Sequence, residues 1–230
     1  MTNLPKLKKP KAILFDLDGT LADSAPDLTA AINNVRVEFN LEKMPYEDLR
    51  PYASAGAPGL VRAAFQIERD HPLFPYLRER FLSHYRSSIA NGASATTLFT
   101  GIPELLVQLE QANIRWGIVT NKVESLAKPL IGQIGLGNAG CLVAGDTTPH
   151  PKPYPDPLLE GAKRLAVLPE DCWYIGDDLR DMQAGHAAGI CAAIAAKWGY
   201  CIDPENWPSD FVAQTPKQLQ TLVKTATAED

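Results

Sequence analysis

The sequence has too few cysteines, too little excess positive charge and too short apolar runs for several classes of protein. Its four cysteines, at positions 141, 172, 191 and 201, include no short-spaced pair, which argues against a zinc site. Three of them begin or lie within apolar stretches, so we expect reduced core residues in a cytoplasmic protein. The net charge of −5 excludes the strongly basic composition typical of nucleic-acid-binding proteins. No apolar run approaches the roughly 18 residues that span a bilayer, and we expect no membrane association.

The amino-terminal segment MTNLPKLKKPK is basic but is not organised like a targeting signal. It contains neither a continuous apolar stretch nor a small-residue cleavage site, so we interpret it as a solvated tail. The 230 residues, 45% of them hydrophobic, are enough to bury a substantial core in one large domain or two small ones.

Short apolar runs alternate with helical patterns along most of the chain. The predicted strands are KAILFDL, IRWGIVTN, CLVAG, CWYIGDD and GICAAIA. The predicted helices that separate the later strands are IPELLVQLEQAN, ESLAKPLIGQIG, DPLLEGAKRLA and LRDMQAGHAAG. Strands that are apolar throughout and spaced by helices indicate a parallel sheet covered on both faces. The predicted class is therefore α/β and doubly wound.

A long segment after the first strand departs from this alternation. Residues 21–93 show no strand pattern and contain the amphipathic stretches SAPDLTAAINNVRVEF, GAPGLVRAAFQIE and PYLRERFLSHYRSSIA. We predict a small all-helical domain over residues 21–93, inserted into a core made of residues 1–20 and 94–230. The insertion would stand over the carboxyl ends of the strands, where open α/β sheets bind ligands.

Polar side chains follow the predicted strands at the points where they end. They are Asp16, Asp18, Gly19 and Thr20 after the first strand, Thr120, Asn121 and Lys122 after the second, and Asp177, Asp178 and Asp181 after a later one. Lys152 lies in the proline-rich loop HPKPYPDP, before a helix. Because parallel strands end at one edge of a sheet, we expect these four segments to converge.

Such a cluster suits a hard divalent cation and a phosphate group. Mg²⁺ prefers carboxylates, waters and phosphate oxygens. One aspartate, Asp16, can attack phosphorus, while Asp18, two positions on, moves protons to the leaving oxygen and from water. The hydroxyl of Thr120 and the ammonium of Lys152 suit the remaining phosphate oxygens.

In order and spacing, DLDGT, hydrophobic-Thr-Asn, Lys-Pro and GDDLRD resemble the four motifs of the haloacid dehalogenase-like hydrolases. The helical insertion resembles the first type of cap domain in that superfamily. This resemblance implies a Mg²⁺-dependent phosphatase that works through an aspartyl-phosphate. It implies that Asp16 is the nucleophile and a metal ligand, and that Asp18 is the acid/base and a metal ligand through its backbone carbonyl. It also implies that Asp177 is a metal ligand, supported by Asp178 and Asp181. The residues that it implies for phosphate binding are Thr120, Asn121, Lys152 and Gly19.

Two subgroups of that superfamily are similar to this chain, and both remain open. The segments LFDLDGTLADSAPDL, GIVTNK and Gly199-Tyr200 resemble bacterial phosphoglycolate phosphatases. The GDDLRD motif and the tryptophan-containing CIDPENWPSD resemble N-acetylmuramic acid 6-phosphate phosphatases of cell-wall recycling. Either resemblance implies a small phosphorylated metabolite as partner and a monomer or homodimer.

Three cationic residues have two interpretations each. Arg50 and Arg62 of the insertion could meet an anionic group of the substrate, but each taken singly is read first as a surface arginine. Lys122 is read first as an exposed lysine at a helix start, with phosphate contact as the alternative.

The rival functions are three. They are a sugar-phosphate mutase with the same nucleophile, a receiver domain and a catalytically silent binding protein. A receiver domain would carry its phosphorylated aspartate on a later strand, and the intact set of motif residues argues against a silent protein.

Overall fold

The computed structural model describes residues 4–200 and 203–228, which form a parallel sheet flanked by helices. The strands are β1 Ala12–Phe15, β2 Ala22–Asp23, β3 Thr97–Leu98, β4 Arg115–Val119, β5 Leu142–Val143, β6 Cys172–Gly176, β7 Ala192–Ala196 and β8 Phe211–Ala213. The helices are α1 Ala25–Glu38, α2 Tyr46–Leu49, α3 Gly56–Phe65, α4 Phe74–Ala90, α5 Ile102–Gln111, α6 Glu124–Gln133, α7 Asp156–Arg164, α8 Leu179–Ala187 and α9 Pro216–Ala228.

Six strands form one sheet in the order β5-β4-β1-β6-β7-β8, and all of its pairings are parallel. Every residue of β1, β6 and β7 is buried, as expected for strands covered on both faces. The predicted α/β doubly wound class is confirmed. Because β1 lies between β4 and β6, the loop after β1 is at the middle of the carboxyl edge.

The structure adds elements that the sequence analysis did not predict. The edge strand β8 and the helix α9 follow the last predicted strand. The two-residue strands β2 and β3 pair antiparallel in a separate ribbon. The expectation of no strand within 21–93 was therefore wrong at Ala22–Asp23, since a two-residue strand is too short to show an alternating pattern.

Along the chain, helices α1 to α4 come after β2 and before β3, the two strands of this ribbon, and we call them the cap helices. Their buried apolar residues recur at helical spacing, as Leu28, Ile32 and Val35 do on α1, and form one apolar cluster that continues into the core under the sheet. The domain boundaries at residues 21 and 93 remain a prediction. No helix in the described part of the chain is both long and apolar enough to cross a bilayer.

A buried carboxylate fixes the return from the cap helices to the core. Asp27 on α1 accepts hydrogen bonds from the hydroxyls of Ser94 and Thr96, both at 2.6 Å, and from the amides of Ala95 and Thr96, both at 2.9 Å. These four bonds attach residues 94–96, just before β3, to α1, the first helix after β2. The chain segment that enters the cap helices is therefore held to the segment that leaves them.

The cysteines behave as small core or partly buried residues. Cys141 and Cys172 are buried, Cys191 is partly buried, and all three are free thiols. Cys201 lies outside the described residues, as does Ile202 in the segment CIDPENWPSD.

Candidate active site

Three buried carboxylates meet at the carboxyl edge of the sheet. Asp16 follows β1, Asp177 follows β6, and Asp181 lies in the first turn of α8. Each offers an oxygen within 4.8 Å of the others. Because β1 and β6 are adjacent parallel strands, residues that follow them are brought to the same edge.

The turn after β1 needs glycine so that Asp177 can approach it. Gly19 has φ of +85°, and a Cβ there would lie 2.1 Å from Oδ2 of Asp177. Its amide donates to the carbonyl of Ala22 at 2.9 Å. The predicted phosphate contact of Gly19 is therefore not supported for its amide, which is already bonded, and the glycine serves the close approach of Asp177 instead.

Lys152 connects two of the three carboxylates. Its Nζ lies 2.6 Å from Oδ1 of Asp181 and 2.9 Å from Oδ1 of Asp16, and its side chain is 3% exposed. It also donates to the hydroxyl of Tyr174 at 2.7 Å and to the carbonyl of Val119 at 3.1 Å. Burial lowers the pKa of Lys152, but Asp16 and Asp181 outweigh burial and raise it, so the side chain is a cation.

Tyr174 is a site residue that the sequence analysis missed. Its hydroxyl lies 3.0 Å from Oδ1 of Asp181, in addition to its contact with Lys152. In the apolar run CWYIG, the hydroxyl of this tyrosine is the only feature that could have indicated a polar role. Tyrosines in strands are usually packing residues, so the sequence did not predict this contact.

The side chain of Asn121 holds the lysine loop. Its Nδ2 donates to the carbonyl of Lys152 and its Oδ1 accepts from the amide of Lys152, both at 3.0 Å. This reciprocal pair gives the side chain a positioning contact with the lysine loop, and the predicted phosphate contact of Asn121 remains a prediction. Thr120, which is 2% exposed, accepts the amide of Lys122 through its hydroxyl oxygen, which leaves the hydroxyl proton to donate.

Asp181 and Asp16 differ in how many hydrogen bonds their carboxylate oxygens accept. Asp181 accepts from Lys152, from Tyr174 and, through Oδ2, from the amide of Asp178 at 3.0 Å. Asp16 Oδ1 is buried and, despite its ion-pair contact with Lys152, receives no well-directed hydrogen bond from the part of the chain that the structure describes. Burying an oxygen without a donor is costly, and a cation between Asp16 and Asp177 would satisfy it.

The pKa values of this cluster reflect burial and mutual repulsion. Burial, with a contribution from Asp181, raises the pKa of Asp16 to about 7 against the opposing effect of Lys152. Burial and then the charge of Asp16 raise the pKa of Asp177 well above its ordinary value. A divalent cation would remove this repulsion, so the donor set fits one.

Asp178 pairs with Arg180 rather than with the three clustered carboxylates. It caps α8, and its two oxygens accept from Nε and Nη2 of Arg180 at 2.7 and 2.8 Å. Arg180 also donates to the carbonyl of Ser54, between the cap helices, at 2.9 Å, and the Ser54 hydroxyl donates to Oδ2 of Asp177 at 2.6 Å. Through Arg180, Asp178 therefore takes part in a contact that joins the core to the cap helices, and its predicted supporting role remains a prediction.

Asp18 is held by two neighbours rather than by the carboxylate cluster. Ser24 donates to its Oδ1 at 2.5 Å, and Nζ of Lys122 lies 2.9 Å from its Oδ2. Lys122 also donates to the hydroxyl of Tyr85 at 3.0 Å and has a side chain only 6% exposed. The interpretation of Lys122 as an exposed lysine was therefore wrong, because α4 packs over it.

A cavity of about 310 Å³ lies between the carboxyl edge and the cap helices. Asp16, Asp18, Thr120 and Lys152 line it from the core, and Phe81, Tyr85, Arg69 and Arg78 are among its residues from the other side.

Neither arginine that the sequence analysis singled out lines this cavity. Arg50 donates to the carbonyl of Gly199 at 3.0 Å and covers the ring of Tyr200, whereas Arg62 is an exposed partner of Glu68. The cavity instead contains Arg69 and Arg78, which have no ion-pair or hydrogen-bond partner among residues 4–200 and 203–228.

The chain belongs to the haloacid dehalogenase-like hydrolases, whose family model matches residues 13–195. It is 41% identical to a phosphoglycolate phosphatase of Xanthomonas campestris pv. campestris, strain 8004, over 93% of this chain and 96% of that protein. It is 37% identical to an N-acetylmuramic acid 6-phosphate phosphatase of Pseudomonas aeruginosa, over 93% and 95% of the two chains. A crystal structure of a "predicted phosphoglycolate phosphatase" from Haemophilus somnus 129PT superposes with a TM-score of 0.80 at 25% identity, covering 94% of this chain and 98% of the other.

Proposed function

We propose that this phosphatase hydrolyses a small phosphate monoester that also carries a carboxylate, with 2-phosphoglycolate as the first candidate. The observation that carries the proposal is one cavity lined by Asp16, Thr120 and Lys152 on one side and, on the other, by Arg69 and Arg78, which are unpaired among the described residues. The similarity to the Xanthomonas phosphoglycolate phosphatase over nearly the full length of both chains supports the first candidate.

We assign the nucleophile to Asp16. Its carboxylate attacks phosphorus while the bond to the ester oxygen breaks, and that oxygen leaves as an alcohol after taking the proton of a neutral Asp18 carboxyl, which becomes a carboxylate. Asp18 then accepts a proton from a water molecule, whose oxygen attacks the aspartyl-phosphate and returns Asp16 to its carboxylate form. Asp18 lines the same cavity two positions after Asp16, and this supports assigning both proton transfers to it.

Lys152 and Thr120 bind and orient the phosphoryl group. The ammonium of Lys152 already lies against Asp16, so it can neutralise charge on the attacking oxygen and on a phosphate oxygen. The hydroxyl of Thr120 can donate to a second phosphate oxygen. Tyr174 and Asp181 hold the ammonium in this place.

We propose Mg²⁺ as the divalent cation, held by Asp16 and Asp177 and by the carbonyl of Asp18. When bound it would offset the charge of the phosphate and of the nucleophile. Asp181, whose oxygens are already hydrogen-bonded, supports the site by fixing Lys152 and the start of α8.

N-acetylmuramic acid 6-phosphate is the second candidate. It is favoured by the Pseudomonas relative and is compatible with the proposed carboxylate site, because it too carries a carboxylate. A monomer or homodimer in the cytoplasm remains our proposal, and the three free thiols of the described residues fit a reducing compartment.

A phosphate-release assay on purified protein tests the function. We expect release from 2-phosphoglycolate or N-acetylmuramic acid 6-phosphate without any acceptor sugar, and loss of release with a chelator or in Asp16→Asn. Release only with an acceptor sugar would favour a mutase, and turnover by Asp16→Asn would refute the nucleophile.

The carboxylate site is tested separately on esters with and without a carboxylate. Arg69→Ala and Arg78→Ala should raise KM for 2-phosphoglycolate about tenfold, which corresponds to one charged hydrogen bond, and should leave ethyl phosphate unchanged. Arg86→Ala is the matched control, since Arg86 lies on the same helix as Arg78 and pairs with Glu79. Equal effects on both esters would contradict a carboxylate contact.

A further inference from the structure

Lys122 joins three parts of the molecule at one point. Its Nζ lies 2.9 Å from Oδ2 of Asp18 after β1 and 3.0 Å from the hydroxyl of Tyr85 on α4, and it also faces the ring of Tyr85 at 4.5 Å from the centroid. Lys122 itself follows β4. A single ammonium therefore touches the proposed acid/base and the cap helices at once.

The carboxylate of Asp18 is oriented by two donors on different oxygens. Ser24, just before α1, donates to Oδ1, and Lys122 approaches Oδ2. A carboxylate has about four lone-pair positions, so two remain for exchange with an ester oxygen or a water. Without Lys122, Oδ2 would lose its charged partner and the carboxylate could rotate about its last bond.

The contact with Tyr85 makes this orientation depend on the position of α4. Tyr85 is 1% exposed and packs with Phe81 in the apolar cluster of the cap helices. If α4 moves away from the sheet, Lys122 loses a hydroxyl and an aromatic face together, and water reaches the ammonium. Charge–charge contacts weaken in water, so the hold on Asp18 weakens as well.

We propose that Lys122 is a positioning residue that holds Asp18 for proton transfer and makes this hold depend on closure of α4 through Tyr85. The inference rests on the proposed function and goes beyond it, because it assigns Lys122 to the leaving group rather than to the phosphate. If Lys122 bound the phosphate, it would contribute equally to the hydrolysis of every ester. A residue that acts through the acid serves only esters whose leaving oxygen needs a proton.

The test compares kcat/KM for an alkyl phosphate that the enzyme hydrolyses and for p-nitrophenyl phosphate, whose leaving group departs without a proton. Because kcat/KM covers the steps up to ester cleavage, we expect Lys122→Met to lower it about 10- to 100-fold for the alkyl ester and by less than about threefold for the aryl ester. Tyr85→Phe, which removes one oxygen, should show the same selectivity with a smaller loss. Lys128→Met is the matched control, since Lys128 is an exposed lysine on α6.

Equal losses on both esters would overturn the proposal and indicate phosphate binding by Lys122. A Tyr85→Phe variant with parental kcat/KM on both esters would overturn the link to α4, and this variant keeps that test available if Lys122→Met does not fold. The proposed function fails separately, when the parent releases no phosphate from any ester or when Asp16→Asn remains active.

Discussion

Replacing Asp16 by asparagine should abolish turnover and yet stabilise the metal-free protein. The pKa of Asp16 is raised from 3.8 to about 7, mainly by burial, so ionising this carboxyl in the folded chain is unfavourable. A rise of about three pKa units, at about 1.4 kcal/mol each, corresponds to roughly 4 kcal/mol. An asparagine amide must itself be buried beside Lys152, so we expect a gain of about 2 to 4 kcal/mol in the free energy of unfolding.

The gain should depend on pH in a defined direction. Below pH 3.8 the carboxyl is protonated in the folded and the unfolded chain, and the variant gains nothing. Between pH 3.8 and about 7 the unfolded chain loses the proton that the folded chain retains, so the stability of the parent falls as pH rises. Above about pH 7 both states are ionised, and the full difference persists.

Urea denaturation of both proteins in the presence of a chelator, from pH 4 to pH 8, measures this difference. Asp178→Asn is the control of opposite sign, because Arg180 outweighs burial and holds the pKa of Asp178 below its ordinary value. That variant should be less stable than the parent at pH 8. An Asp16→Asn protein that is no more stable than the parent at pH 8, or whose gain does not vary with pH, would refute the reasoning.

Three further substitutions test the structure around the site. Tyr174→Phe removes the hydroxyl 2.7 Å from Nζ of Lys152, and kcat should fall about tenfold with KM within about twofold; steady-state kinetics with unchanged kcat would contradict this role. Asp27→Ala removes the acceptor of four hydrogen bonds and leaves the buried amide of Thr96 with the weaker contact to the Ser94 hydroxyl at 3.3 Å. It should lower the free energy of unfolding by about 3 kcal/mol in urea, whereas a loss below about 1 kcal/mol would show that the return segment is held otherwise. Gly19→Ala forces a Cβ against Asp177 at positive φ and should cost about 3 kcal/mol or more in the same assay; parental stability would mean that the turn can relax.

The element types and the carboxyl edge follow from local sequence. Runs that are apolar throughout can be buried on both faces of a sheet, so β1, β4, β6 and β7 were predictable as parallel strands. Parallel strands end at one edge, which brings Asp16 and Asp177 together without any knowledge of the cap helices. Elements without a periodic pattern, such as the two-residue strands β2 and β3, were not predictable in this way.

The partners of the charged side chains were decided by tertiary packing alone. Lys122 looks like an ordinary lysine after a strand, and it is buried only because α4, which carries Tyr85, packs over it from 37 positions away. Likewise, Arg69 and Arg78 line the cavity while Arg50 and Arg62 do not. Periodicity records which face of an element is buried, but not which residue of a distant element covers it. The sequence by itself thus determined the sheet and the residues at its edge, and only the packing of the cap helices decided which cations face them.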